Sequence, residues 1–148
     1  MAVTDAVMLP FIHPFTWIVS GPTQCGKTTF ILKLIDNAQT IIEPPPEIII
    51  YCYGKYQQSF NTIRNPVKFH EGLPDVNKFD GRLRRLLIPD DLMNEVDDSV
   101  ANILTKISHH RNVSIVFLTQ NIFHKNKHMR AISLNAHYLV LFKNPHDV

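Results

Sequence analysis

The sequence predicts an α/β domain built on a mostly parallel, five-stranded sheet with helices on both faces. Short β-rich apolar runs recur along the chain, they are apolar throughout rather than alternating, and helical patterns lie between them. Strands that are apolar on both sides need cover on both sides, and a parallel sheet with crossover helices provides it.

Taken in order, Phe15–Ser20 (FTWIVS) is a short apolar run ending at a glycine, which marks a buried strand. Lys27–Asp36 follows as a helix, because Phe30 and Leu34, and Ile31 and Ile35, recur at helical spacing. Ile48–Tyr53 (IIIYCY) is the second buried strand, reached through the stiff polar connector Glu43-Pro44-Pro45-Pro46-Glu47. Val67–His70 fits a short edge strand, and Leu86–Pro89 a third core strand that ends in two aspartates. Ser99–His109 carries Val100, Ile103, Leu104 and Ile107 on one helical face, with Asp98 or Ser99 as its cap. Val113–Thr119 (VSIVFLT) and His137–Phe142 (HYLVLF) complete the core strands.

Composition narrows the class. A chain of 148 residues suits one domain spanning 1–148, large enough to fold without staples. With 45% hydrophobic and 19% charged residues it does not read as disordered. A net charge of +2 permits contact with nucleic acid without arguing for it. The two cysteines, Cys25 and Cys52, read as free thiols, since a bridge would distort both the loop and the strand that hold them. No apolar stretch approaches the roughly 18 residues of a membrane span, and the N-terminus lacks the basic region of a secretory signal.

Between the first strand and the first helix lies Gly21-Pro22-Thr23-Gln24-Cys25-Gly26-Lys27-Thr28, the pattern G-x-x-x-x-G-K-[ST] of a phosphate-binding P-loop, followed by Thr29. Its chemistry requires this spacing. Backbone N–H groups must wrap a phosphate, glycines allow positive φ and close approach, and the helix N-terminus adds its dipole. Lys27 reaches the β- and γ-phosphates of ATP, and the Thr28 hydroxyl is placed to ligate Mg2+. Cys25, at a helix N-terminus, carries the features that lower a thiol pKa, or is simply a small residue that fits.

Leu86-Leu87-Ile88-Pro89-Asp90-Asp91 delivers two carboxylates from a hydrophobic strand. Asp90 is the candidate for the magnesium shell and Asp91 for the general base, with Glu95 as the alternative base. The competing reading is that the pair caps the segment that follows. Thr119-Gln120-Asn121 ends another strand, and ligands of open parallel sheets sit at such carboxyl ends. Gln120 can donate to the γ-phosphate or orient water, Asn121 is the runner-up, and an ordinary loop amide is the plain alternative.

GPTQCGKTT, LLIPDDLM, HHRNVSIVFLTQNIF and ISLNAHYLVLFKNPHD follow one another in the order found in genome-packaging ATPases. Over residues 15–147 the chain resembles this branch of the FtsK–HerA superfamily. The likeness is strongest to the poxvirus-type enzyme carried by Maverick/Polinton elements and related DNA viruses. The resemblance implies an additional-strand P-loop ATPase that forms a homo-oligomeric ring and pumps double-stranded DNA into a capsid through portal or vertex proteins. It implies an intracellular place of work, the host nucleus or the viral assembly site. It assigns Gly21–Thr28 to Walker A, Asp90 and Asp91 to Walker B, and Gln120 to the sensor. Pro89 departs from the aliphatic residue expected there, which is tolerable at a strand end or an edge. The chain also ends just after the fifth core strand, where members of the family continue.

Lesser signals complete the reading. His109-His110 reads as a helix end rather than a metal site. His124, Lys125, Lys127, His128 and Arg130 form a basic stretch that is either a solvated loop, a DNA contact, or the source of an arginine acting on a neighbouring subunit. Arg130 is the first candidate for that arginine and Arg111 the second. Two other functions stay open: a small nucleotide kinase, which needs an acceptor pocket and an arginine-rich lid, and a non-hydrolysing ATP-gated structural or DNA-tethering subunit.

Overall fold

The structure is a computed structural model that describes residues 10–22, 26–55, 61, 63, 66–92, 111–120, 130, 132 and 134–142. Its strands are β1 (Phe11–Ile12), β2 (Thr16–Ser20), β3 (Ile42–Glu43), β4 (Ile48–Tyr53), β5 (Lys68–Glu71), β6 (Arg85–Pro89), β7 (Val113–Thr119) and β8 (Tyr138–Leu141), with helix α1 over Lys27–Ile41. Six strands form one sheet in the order β5-β4-β6-β7-β2-β8, and every pairing in it is parallel.

The sheet thus holds the five expected core strands plus β5, the edge strand anticipated near Val67–His70. Burial explains the order. All of β2 and β7 is buried, whereas β5 and β8 are largely exposed and form the two edges. Pro89 closes β6, an interior strand, at its last position, where the missing N–H is tolerated.

Period-two geometry sorts the side chains onto two faces. Trp17, Val19, Ile49, Tyr51, Leu86, Ile88, Val116 and Leu118 pack with Ile31, Leu34, Ile35 and Ala38 of α1. Ile18, Ile50, Cys52, Leu87, Ile115 and Phe117 point to the other face, where Val76, Leu92 and Ile132 cover them. The helix expected at Ser99–His109 lies outside the described residues. α1 runs five residues past the expected end at Asp36, to Ile41. Asp36 and Asn37 are exposed, so they do not interrupt the buried stripe, which Ala38 and Ile42 continue.

A small second sheet, β1 paired in parallel with β3, was not anticipated, because two-residue strands leave no periodicity to read. It secures the segment leading into β2, where His13 is buried at the amino end of the sheet. His13 Nε2 donates to Asn112 Oδ1 at 2.8 Å, and its Nδ1 meets the Ser114 hydroxyl, which also accepts from the Phe15 N–H at 3.2 Å. A neutral ring satisfies this set, with the serine donating to Nδ1. Burial accordingly pushes the His13 pKa down and nearby Arg84 adds to that, against the Asn112 hydrogen bonds.

A folded-state pKa below the unfolded one means that the unfolded chain takes up the proton first as pH falls. The stabilisation from neutral His13 is therefore full above the ordinary histidine pKa of 6.5 and is lost as pH drops through that value toward the lowered folded one. Denaturant unfolding from about pH 7.5 to about pH 5 should show a steeper acid-side loss for the wild type than for His13→Gln. Parallel curves would remove His13 as the cause.

Candidate functional site

Strand order brings the motifs together. β7 lies between β2, which leads into the loop at Gly21, and β6, which ends at Asp90. One strand inserted between these two is the additional-strand arrangement that the resemblance implies. Asp90 donates its N–H to Cys52 O of β4 at 2.9 Å, and Asp91 to Leu118 O of β7 at 2.9 Å. The backbone that carries the two carboxylates is therefore held from the strands on either side of β6.

The loop is anchored at its two described ends. Gly21 N–H donates to Thr119 O at 3.1 Å, and Lys27 Nζ donates to the same carbonyl at 3.1 Å. Gly26 adopts φ 102°, a left-handed conformation that favours glycine, and its carbonyl accepts the first helical hydrogen bond from Phe30 at 2.9 Å. No side chain caps α1 at Gly26, and its first turn carries no acid. The first turn of α1 thus supplies no anion of its own, the electrostatic setting that a phosphate completes. Thr23, Gln24 and Cys25 lie outside the described residues.

A cleft of about 680 Å3 opens here, lined by Gly26, Lys27, Thr28, Thr29, Asp90, Asp91 and Gln120. It brings together the described core of the predicted site. Gly21 and Pro22 lead into it without lining it. Gln120 Nε2 lies 3.5 Å from Asp91 Oδ2, so the amide and the carboxylate face one another across the ends of β7 and β6. Asp91 has φ 55°, a region that aspartate and asparagine enter more readily than most residues.

Three further cleft residues, Tyr53, Gly54 and Lys55, come from the carboxyl end of β4 and were missed in the sequence. Their position at the end of a predicted parallel strand was the available signal. With Lys27, Lys55 gives the described lining two cations to set against two carboxylates. Tyr51, also missed, donates from its hydroxyl to Asp90 Oδ2 at 2.7 Å. Burial pushes the Asp90 carboxyl above its ordinary pKa, and Asp91 adds to this, while the Tyr51 hydrogen bond and the charge of Lys27 pull it back. Burial and the adjacent carboxylate raise the Tyr51 phenol strongly, so it stays a donor.

The hard oxygen donors facing the cleft, Thr28 and Asp90, suit Mg2+ shared with phosphate oxygens. Among the described residues no group of three or more histidine, cysteine or acidic side chains could hold a metal by itself. The remaining candidates stand elsewhere. Arg130 is exposed and is not among the described cleft-lining residues. Arg111 donates to the carbonyl of Phe79 at 2.7 Å, next to the Asn112 clamp at the amino end of the sheet. That contact removes Arg111 from the cleft of its own chain. Cys52 is buried within β4, as its place in an apolar strand predicts. Glu95, His109, His110, Asn121, His124, Lys125, Lys127 and His128 lie outside the described residues. No described helix is long and apolar enough to cross a membrane.

No protein-family model matches the chain, and no curated protein does. Solved structures do. The genome packaging NTPase B204 of Sulfolobus turreted icosahedral virus 2, in complex with AMP, aligns with a TM-score of 0.57 at 11% identity, over 90% of this chain and 77% of that one. Its sulfate complex gives 0.56 at 12% identity, over 90% and 76%. The ATPase DotB of Legionella pneumophila gives 0.50 at 12% identity, over 91% of this chain and 37% of that one. At such identities the likeness establishes architecture alone: the chain shares the α/β fold of these NTPases.

A Cβ added at Gly26 would meet only the Phe142 ring at 3.5 Å, an ordinary contact, so the cost of Gly26→Ala is backbone strain. Denaturant unfolding should show a loss of about 1–2 kcal/mol, the cost of placing an L-residue in that region. An unchanged midpoint would mean that the loop relaxes out of the left-handed conformation.

Proposed function

We propose that this chain is an ATP-binding and ATP-hydrolysing motor domain that packages double-stranded viral or transposon DNA into capsids. The observation that carries the reading is the convergence of the loop, Asp90, Asp91 and Gln120 on one cleft at the carboxyl ends of β2, β6 and β7. The likeness in fold to a genome packaging NTPase solved with AMP supports it, as does the order of motifs in the sequence.

In this reading the loop N–H groups and the N-terminus of α1 cradle the phosphates, and Lys27 leaves Thr119 O to pair with the β- and γ-phosphates. Thr28 and Asp90 would hold Mg2+, which would neutralise charge on the phosphates. Asp91 takes the proton of a water whose oxygen attacks the γ-phosphorus as the bond to the β-phosphate oxygen breaks, releasing ADP and phosphate. Gln120, facing Asp91, supplies the donor that orients this water. Arg130, outside the cleft of its own chain, completes the site of a neighbouring subunit in a ring. DNA and capsid portal or vertex proteins are the partners.

The decisive experiment is steady-state ATP turnover by the assembled protein with and without duplex DNA. Stimulation by duplex supports a translocating motor. Turnover that depends instead on a nucleoside or nucleotide acceptor supports a kinase, and ATP binding without turnover supports a tethering subunit.

Two substitutions test the site. Lys27→Ala removes the point charge from the phosphates and should abolish ATP binding by calorimetry in a protein that remains folded. Asp91→Asn tolerates the same backbone conformation but cannot take a proton. It should bind Mg·ATP and turn it over at least about a hundredfold more slowly. Wild-type turnover in that variant would transfer the role of base to Glu95.

A further inference from the structure

Asp90, at the cleft, accepts a hydrogen bond that phosphate binding and water activation do not account for. Tyr51 lies within β4, in register with Ile88 of β6, and Asp90 stands two residues further along the same face. The Tyr51 residue is 3% exposed, and its ring lies 5.9 Å from that of Phe69 on the neighbouring strand. A ring so enclosed has little freedom, so its hydroxyl meets Asp90 Oδ2 at a position set by the sheet.

We propose that Tyr51 is a positioning residue that restricts Asp90 to one-oxygen coordination and thereby selects Mg2+ over Ca2+ in the nucleotide complex. The inference rests on the reading that Asp90 belongs to the metal shell. A carboxylate can offer a metal one oxygen or both. Here the phenol engages Oδ2, which leaves Oδ1 as the oxygen without that bond. Mg2+ demands near-ideal octahedral geometry at about 2.0–2.1 Å, and a carboxylate binding through one oxygen satisfies it. Ca2+ takes more ligands at about 2.3–2.6 Å and accepts both oxygens of a carboxylate. A donor locked onto one oxygen favours the smaller ion, and it also fixes the ligand's orientation before the metal arrives.

The test measures the affinity of the protein for a non-hydrolysable ATP analogue with Mg2+, with Ca2+ and without metal, in the wild type and in Tyr51→Phe. The variant keeps the ring and loses only the hydroxyl. Its affinity for the Mg2+ complex should fall about tenfold, the lower end of the usual effect of removing a ligand's supporting hydrogen bond. Its affinities for the Ca2+ complex and the metal-free analogue should hold, so the ratio between the two ions narrows. Against Asp90→Asn, Tyr51→Phe should add nothing. Equal weakening of all three affinities, an unchanged ratio, or an undiminished effect on the Asp90→Asn background would each overturn the proposal. The wild type alone is also a test, since a protein with no preference for Mg2+ overturns it without any variant. A wild type that binds no Mg2+–nucleotide removes the nucleotide reading together with this one, whereas an unchanged ratio in a nucleotide-binding protein removes this one alone.

Discussion

The carbonyl of Thr119 accepts from both ends of the phosphate loop, from Gly21 N–H on entry and from Lys27 Nζ on exit, each at 3.1 Å. A carbonyl has two lone pairs, and here one oxygen uses both. The loop therefore takes its position from the end of β7, and β7 takes its own from the register that sets Ser20 beside Thr119. A one-residue slip would turn every side chain of β2 to the opposite face, moving Trp17 and Val19 off the α1 side and Ile18 onto it. Core packing and loop position are thus one constraint, and the loop cannot change place without cost to the core.

The charges of the cleft are the ones that the proposed metal–polyphosphate would pair with. Two carboxylates at the end of β6 face two lysines, and burial already disfavours the ionised form of Asp90. An isolated anion would be repelled by the carboxylates, and an isolated cation by the lysines. A ligand with phosphate negative charge at the α1 end and a divalent cation beside Asp90 satisfies both halves together. Tyr51 contributes a neutral donor that supports Asp90 without adding a charge.

Much of this was legible along the chain. Ile48–Tyr53 and Val113–Thr119 appear with the bounds read from their uniform apolar runs, and the described loop residues, the aspartate pair and Gln120 fall where the strand-end rule puts them. What escaped depends on which strands are neighbours. Nothing in the run IIIYCY says that β4 lies beside β6, so the bond from Tyr51 to Asp90 and the entry of Lys55 into the cleft had no local signature. The His13–Ser114 contact joins residues 101 positions apart and was equally hidden. Arg111 shows the converse difficulty. An arginine beside a strand that ends in the site is an attractive candidate, yet it precedes the strand's amino end, away from the cleft of its own chain.

β7 is held at both ends by polar groups of different character. At its start, Ser114 is joined to His13 and Phe15, and Asn112, at φ 63°, holds the other side of the imidazole. At its finish, Thr119 O holds the loop. The first set is largely buried and its members pair with one another, so it contributes stability. The second leaves the Lys27 ammonium in a half-buried cleft on a backbone carbonyl that a phosphate can replace. All seven residues of β7, the two ends included, are buried, and a run so enclosed transmits displacement rather than absorbing it. The amino end of β7 thus fixes where Thr119 stands, and the exchangeable partner of Lys27 is confined to the end where strands, helix dipole and carboxylates already converge.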